Sequence, residues 1–374
     1  MKIGILTFQE SNNNGAMLQA LALQEITSEI ANGSAKIINY HSKFKQQQYK
    51  LNFSGNKKVF LNKLLSAFVR RKVRLKAEEF RRKYLNIENK KIIDKKELKE
   101  LNGRFSVFIT GSDQVWNVNN IGTDSTYFLD FVDKSNNKIV SYAPSIALSE
   151  IPKKYKGFYY ENINRFNYLN LSIREKTGQK IIKDLTGQNA TVVVDPTLLL
   201  NKDEWIKKFN LQPTSYNNEK YIFVYYISYN PNLIKFVKKL KEKTGYKVIV
   251  ATRTLRDYKI GFQNVVISPK DFVNYIYSAE YIVTNSFHGT AFSVNFEKKF
   301  FAFGNSDKLS KVNSRIEDFL DDVSLSSRYI SGDYELDSLS NEVIDYRSSS
   351  AILEEMRNKS LNFLYNSLNR DGEI

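Results

Sequence analysis

Short apolar runs alternate with stretches of helical periodicity along most of the chain. KIGILTF (2–8) reads as a strand, MLQALALQEITSEI (17–30) as an amphipathic helix and KIINY (36–40) as a second strand, so the chain opens as a βαβ unit. Further β-like runs follow at SVFITG (106–111), KIVSYAPS (138–145), LSIRE (171–175) and TVVVDPTLLL (191–200). A polar stretch, NLQPTSYNNEK (210–220), reads as a linker, and the alternation then restarts. Its strands are YIFVYYIS (221–228), KVIVAT (247–252), NVVIS (264–268), YIVTNS (281–286) and FFAFG (300–304); its helices start at 231, 271 and 289. Strands alternating with helices predict parallel, doubly wound sheets. The expected organisation is a Rossmann-like domain over 1–205 with a basic helical insertion at about 45–100, a second over 220–330, and a helical tail over 331–374.

Composition narrows the chemistry. The 374 residues are 42% apolar, enough for real cores, and contain no cysteine, which excludes disulfides, thiolate zinc sites and cysteine nucleophiles. Only His41 and His288 are left for imidazole chemistry, so a histidine-cluster metal site is excluded, and no metal or cofactor is expected. Lys and Arg total 56 against 40 Asp and Glu, a net charge of +16 that favours acidic partners. The densest basic segment, 57–83, spaces Phe60, Leu64, Leu65, Phe68, Val69 and Leu75 for one helical face. It fits either a helix packed on its own domain with a solvated basic face or one that lies on an anionic membrane. IGILTF runs straight into QESNNN, which is no signal peptide, and no segment has the ~20 apolar residues of a membrane span. The expected location is cytoplasmic, or peripheral at the inner face of the plasma membrane.

Doubly wound sheets bind ligands beyond the carboxyl ends of their strands, where helix N-termini attract anions. Four segments fall there. Asn12 to Ala16, with Asn13, Asn14 and Gly15, lets a ligand approach the backbone, or is a plain capped turn. Gly111-Ser112-Asp113-Gln114-Val115-Trp116-Asn117 follows a strand: Asp113, Gln114 and Asn117 suit sugar hydroxyls, Asp113 a base, and Trp116 a pyranose face, the alternative being a capped turn with a core tryptophan. Arg174, at the end of LSIRE, offers a fork for carboxylate or phosphate, or pairs with a neighbouring carboxylate. Asn285-Ser286-Phe287-His288-Gly289-Thr290 places an imidazole where a strand gives way to a helix.

In order, NNNGAMLQALAL (12–23), FITGSDQVWN (108–117), YFLDFV (127–132), KIVSYAPSIA (138–147), LSIRE (171–175), VVDPTLLL (193–200) and NSFHGTAFSV (285–294) resemble the polysaccharide pyruvyl transferase family, over residues 1 to about 320. The resemblance implies an α/β fold with two Rossmann-like domains in a GT-B-like arrangement, facing a cleft. It also implies transfer of a pyruvyl unit from phosphoenolpyruvate to two sugar hydroxyls, giving a ketal on a bacterial exopolysaccharide, capsule or cell-wall polymer or its lipid-linked precursor. The first domain then takes the acceptor, through Asn13, Asn14, Gly15, Gly111, Ser112, Gln114, Trp116 and Asn117, and the second takes the donor. His288 and Asp113 are the catalytic candidates. Arg174, Ser286, Gly289, Thr290, Arg253, Arg256 and Arg315 are the donor-binding candidates. Many members of the family carry Arg two positions before the histidine, where this chain has Ser286. Another cation such as Arg253, Arg256 or Arg315 replaces it, or the donor differs, which leaves a glycosyltransferase using a nucleotide sugar as the second reading. A carbohydrate-binding relative without catalysis is a further one. No aromatic-interleaved basic motif supports specific nucleic-acid binding.

Overall fold

A computed structural model of the chain describes residues 1–48, 57–213, 219–258, 260–304, 314–331 and 343–369, with the side chains of 46–65, 255 and 314 left aside. Of the apolar positions expected on the basic helix, Phe60, Leu64 and Leu65 therefore lie outside the described side chains.

The contacts divide the chain into two units that are discontinuous in sequence. One comprises Met1–Leu51, Arg81–Leu199 and Glu354–Ile374, the other Asn52–Phe80 and Leu200–Leu353.

The first unit contains β1 (Lys2–Leu6), α1 (Asn14–Ile30), β2 (Ser34–Ile37), α2 (Lys43–Gln48), the end of α3 (Lys57–Tyr84), α4 (Lys95–Leu98), β3 (Val107–Thr110), α5 (Val118–Ile121), β4 (Lys138–Ser141), α6 (Lys156–Ile163), β5 (Ser172–Ile173), α7 (Lys176–Thr186) and β6 (Thr191–Val192). Its parallel sheet runs in the order β2-β1-β3-β4, and β5 pairs with β6. Ile3 and Ile5 of β1 and Phe108 and Ile109 of β3 are fully buried, as apolar strands covered on both faces must be. The run TVVVDPTLLL, expected as one strand, contributes only Thr191–Val192: Asp195 caps a short 3-10 turn, Pro196–Leu198, and the ladder stops there.

The second unit holds α8 (Lys202–Phe209), β7 (Tyr221–Tyr225), α9 (Pro231–Thr244), β8 (Lys247–Ala251), α10 (Leu255–Tyr258), β9 (Gln263–Val265), α11 (Pro269–Ser278), β10 (Tyr281–Thr284), α12 (Phe287–Asn295), β11 (Lys299–Phe303), α13 (Ser314–Asp322), β12 (Tyr329–Ile330) and the start of α14 (Tyr346–Asn369). Its sheet is parallel throughout, in the order β12-β11-β10-β7-β8-β9. Helix starts are fixed locally: Asn230 caps α9 with Pro231 behind it, and Ser268 forms a capping box with Asp271 on α11.

Two helices explain why the units differ from the contiguous domains expected. Lys76 of α3 pairs with Asp271 at 2.8 Å, and Phe80 packs edge-on against Phe209, so this stretch goes with the second unit. On α14, Ser360 Oγ accepts from Val194 N at 2.9 Å, and Arg357 Nε donates to Leu198 O at 2.7 Å, so its latter part goes with the first. No described helix is long and apolar enough to cross a membrane.

Candidate functional site

Each sheet has one point where the strand order reverses. In the first unit the chain passes from β1 to β2 on one side and later places β3 on the other, so the loops leaving β1 and β3 flank the crevice. In the second it moves outward from β7 to β8 and β9, then returns to β10, so the loops leaving β7 and β10 flank the equivalent place.

At the first crevice, several expected ligand contacts are spent on the fold. Asn13 Oδ1 accepts from Gly15 N at 2.9 Å and from Ala16 N at 3.4 Å as the cap of α1, with Asn14 buried behind it. Gly111 takes φ +122°, and a Cβ there would lie 2.0 Å from Tyr142 O, so only glycine fits. Ser112 Oγ donates to Ala143 O at 2.7 Å, and Ser112 N donates to Gln19 Oε1 at 3.1 Å. Gln114 Oε1 accepts from Asn117 Nδ2 at 2.8 Å and from Asn120 Nδ2 at 3.1 Å, while Asn117 caps α5. Trp116 corrects an expectation: its ring is fully buried and stacked 4.9 Å from Phe128, and its Nε1 donates to Tyr127 O at 3.0 Å, so no sugar can stack on it.

Asp113 is half-buried, sits in the left-handed region at φ 66°, and acts on the charges of both Lys45 and Arg174. Arg174 is buried with its Nη1 2.7 Å from Asp195 Oδ2. Burial disfavours the charged guanidinium, but Asp195, Glu175 and Asp113 outweigh it and leave its pKa raised. Glu175 Oε1 in turn accepts from Ser145 Oγ and from the backbone N–H groups of Ile146 and Ala147, at 2.9 to 3.1 Å. Arg174 therefore belongs to a buried ion pair of the first unit, the arrangement expected as the alternative to its donor-binding role.

Three titratable residues at this crevice were not among the site candidates read from the sequence. Glu10 Oε2 lies 2.8 Å from His41 Nδ1, and His41 Nε2 lies 2.9 Å from Asn39 Oδ1. Lys45 is 7% exposed, its Nζ 2.8 Å from the centre of the Phe8 ring. Burial pushes its amine down to about 7, against the pull of Glu10 and Asp113 in the opposite direction. Glu10 follows β1, His41 and Lys45 follow β2, and Asp113 follows β3, so only the sheet order brings them together.

At the second crevice, Asn285 ties the two flanking loops. Its Oδ1 accepts from Ile227 N and its Nδ2 donates to Ser228 O, both at 2.8 Å. Ser286 caps α12, accepting from Gly289 N at 3.3 Å, and Thr290 Oγ1 donates to Ser286 O at 3.1 Å. Gly289 has no room for a side chain, since a Cβ would come 2.3 Å from Thr284 Oγ1. These three residues thus build the helix start, with the Thr290 hydroxyl turned inward and fully buried. His288 is buried in the first turn of α12, edge-on to Phe287.

After β8, Asp257 Oδ2 accepts from the backbone N–H groups of Arg253 and Thr254, each at 2.7 Å, and Oδ1 accepts from the Tyr226 hydroxyl. That loop and the one leaving β7 enclose a pocket of about 360 Å³ lined by Tyr226, Tyr229, Arg253 and Arg256, with Ser66 of α3 at its edge. The Arg256 guanidinium lies 5.0 Å over the Tyr229 ring. Arg253 Nη1 and the Tyr225 hydroxyl are both buried, and neither has a hydrogen-bond partner among the described residues. Arg315 stands in the first turn of α13, a helix held to α12 by Phe319 against Phe287 at 5.8 Å.

Two doubly wound parallel sheets in one chain, each with a polar crevice at its switch point, define an α/β protein of the double-Rossmann class. A family model described as polysaccharide pyruvyl transferase matches residues 13–307; the chain belongs to that family and is a transferase. Among solved structures, a Listeria monocytogenes protein assigned as a UDP-N-acetylglucosamine 2-epimerase is similar at 9% identity, over 96% of this chain and 90% of that one, with a TM-score of 0.52. A UDP-GlcNAc 2-epimerase of Methanocaldococcus jannaschii gives 12% identity, 95% and 99% coverage and a TM-score of 0.47. The E. coli ADP-heptose LPS heptosyltransferase II gives 12%, 97%, 99% and 0.38. At these identities the Listeria likeness shows the fold alone, and the other two carry no argument. No curated protein matches the chain.

Proposed function

We propose that this transferase moves the pyruvyl unit of phosphoenolpyruvate onto two hydroxyls of one sugar in a bacterial surface polysaccharide or its precursor, forming a ketal. The family match over residues 13–307 carries this reading. The second crevice supports the donor half, because phosphoenolpyruvate brings a phosphate and a carboxylate. Arg253, whose buried Nη1 has no hydrogen-bond partner among the described residues, and Arg256 are the cations suited to them. The first N–H groups of α12 add a positive helix end, and His288 in that turn is the candidate for handling the proton that reaches the methylene carbon.

Ser286 stands where many members of the family carry Arg, and its hydroxyl is occupied in capping α12. Arg253 is the substitute this reading assigns, and Arg315 is a weaker candidate. On the acceptor half, Asp113 is assigned as a base for one sugar hydroxyl.

An acceptor bearing a lipid diphosphate would require approach to an anionic surface. On α3, Phe68, Arg71, Lys72 and Leu75 are exposed at the i, i+3, i+4, i+7 spacing of one face, with Phe68 56% and Leu75 49% exposed. This stripe supports peripheral contact with an anionic membrane.

The test is thermal stabilisation of the purified protein by phosphoenolpyruvate, nucleotide sugars and inorganic phosphate, repeated with Arg253→Gln and His288→Ala. Stabilisation specific to phosphoenolpyruvate and lost in Arg253→Gln is the expected result. A response to a nucleotide sugar with none to phosphoenolpyruvate would turn the assignment to a glycosyltransferase.

A further inference from the structure

Beyond the ends of β1 and β2 in the first unit lies a set of buried polar atoms. Glu10 Oε1 and Gln9 Oε1 are buried and have no hydrogen-bond partner among the described residues. The other polar atom of each side chain is anchored, Glu10 Oε2 by His41 and Gln9 Nε2 by Tyr40 O at 2.7 Å. Lys45 Nζ, close to them in the same crevice, rests on the Phe8 ring, 2.8 Å from its centre. Buried orphan groups of this kind cost stability, and a ligand that both donates and accepts would satisfy them. Sugar hydroxyls do both.

Ketal formation imposes a further demand. The bond from C2 of phosphoenolpyruvate to its phosphate oxygen breaks, and two C2–O bonds to the sugar form. Two hydroxyl protons must therefore leave, one ending on C3 to make the methyl group and the other on the released phosphate. One carboxylate, Asp113, serves one hydroxyl, so a second proton acceptor is needed at the same strand ends.

We propose that Lys45 is a catalytic residue of the acceptor half, its amine binding the second sugar hydroxyl and taking that proton as the oxygen bonds to C2. Glu10, held by His41, accepts a hydrogen bond from the bound sugar and keeps the amine facing it. Asp113 and Glu10 are the charged groups that face this amine from the neighbouring strands, with His41 behind Glu10. A neutral amine beside the hydroxyl is the form that works as a base, and the downward shift of Lys45 supplies it near neutral pH.

This inference rests on the pyruvyl transfer reading, and the experiment separates the two. A strain lacking the chromosomal copy is complemented with wild type, Lys45→Met or Lys45→Arg, and acid-released pyruvate in its surface polysaccharide is measured. The purified proteins are compared for melting temperature and for stabilisation by phosphoenolpyruvate. If wild type restores no pyruvate, the transfer reading fails. If it does, at least tenfold less pyruvate is expected from both variants, with donor stabilisation unchanged. Should Lys45→Met fail to fold, Lys45→Arg decides, because it keeps a charge but cannot accept the proton. Pyruvate restored by Lys45→Arg, or donor stabilisation lost with either folded variant, overturns the proposal.

Discussion

At the scale of single residues, two of the buried cations of the first unit, Arg174 and Lys45, call for opposite treatment. Arg174 is compensated: Asp195 meets it at 2.7 Å, and removing the arginine leaves that carboxylate buried without its counter-charge. Arg174→Met is therefore expected to cost about 3–5 kcal/mol, seen as a lower midpoint in urea unfolding. Lys45 is not compensated in this way, and burial holds its folded pKa at about 7, below the ordinary lysine value of 10.5. Between these values the unfolded chain binds more protons than the folded one, so wild-type stability rises with pH across that window. Below pH 7 both states are protonated and the burden of the buried charge is fully present. Compared with Lys45→Met, wild type is expected to gain a few kcal/mol between pH 6 and pH 10. Urea unfolding of both proteins at several pH values measures it, and a constant difference would mean that the amine titrates normally.

Elements decide which of these residues could be read in the sequence. The strands were legible because two-sided burial writes them as unbroken apolar runs, as in YIFVY and YIVT. The strand-to-helix junction at 285–290 was legible too, but the roles within it were not. Ser286, Gly289 and Thr290 looked like ligand contacts and are a cap, a close approach to Thr284 and an inward hydroxyl. Gly289→Ala should accordingly destabilise by about 1–3 kcal/mol through overpacking of α12 on β10. Ser286→Ala should cost about 1 kcal/mol by loss of the cap. Thermal melts of the two variants would show whether this junction is built as described. Trp116 misled for a related reason: a polar loop surrounds it in sequence, while Phe128, twelve positions away in the chain, covers it in space. Glu10, His41 and Lys45 were invisible because no local spacing relates the ends of two different strands. The partners of α3 and α14 are equally non-local, which is why linear domain boundaries missed them.

For the whole molecule, the excess of 56 basic over 40 acidic side chains sets a long-range field, but a field alone does not localise binding. In the proposed reading the α3 stripe localises it, because it adds exposed Phe68 and Leu75 to Arg71 and Lys72, opposite the face that buries Val69, Ala77 and Phe80. Each basic residue near an anionic surface contributes about 1 kcal/mol, and each inserted apolar side chain a comparable amount. Replacing Arg70, Arg71 and Arg74 by Gln should then weaken flotation with phosphatidylserine vesicles by about 100-fold in partition coefficient. Phe68→Ser with Leu75→Ser should weaken it while leaving its salt dependence in place. Diffuse electrostatics predicts a different pattern: the apolar pair would have no effect, and binding would disappear at moderate salt whichever basic residues were kept. Loss in both variants would assign the contact to the stripe, and with it a lipid-linked acceptor at the membrane face. Equal flotation of all three proteins would end the membrane assignment and leave a soluble saccharide as the acceptor.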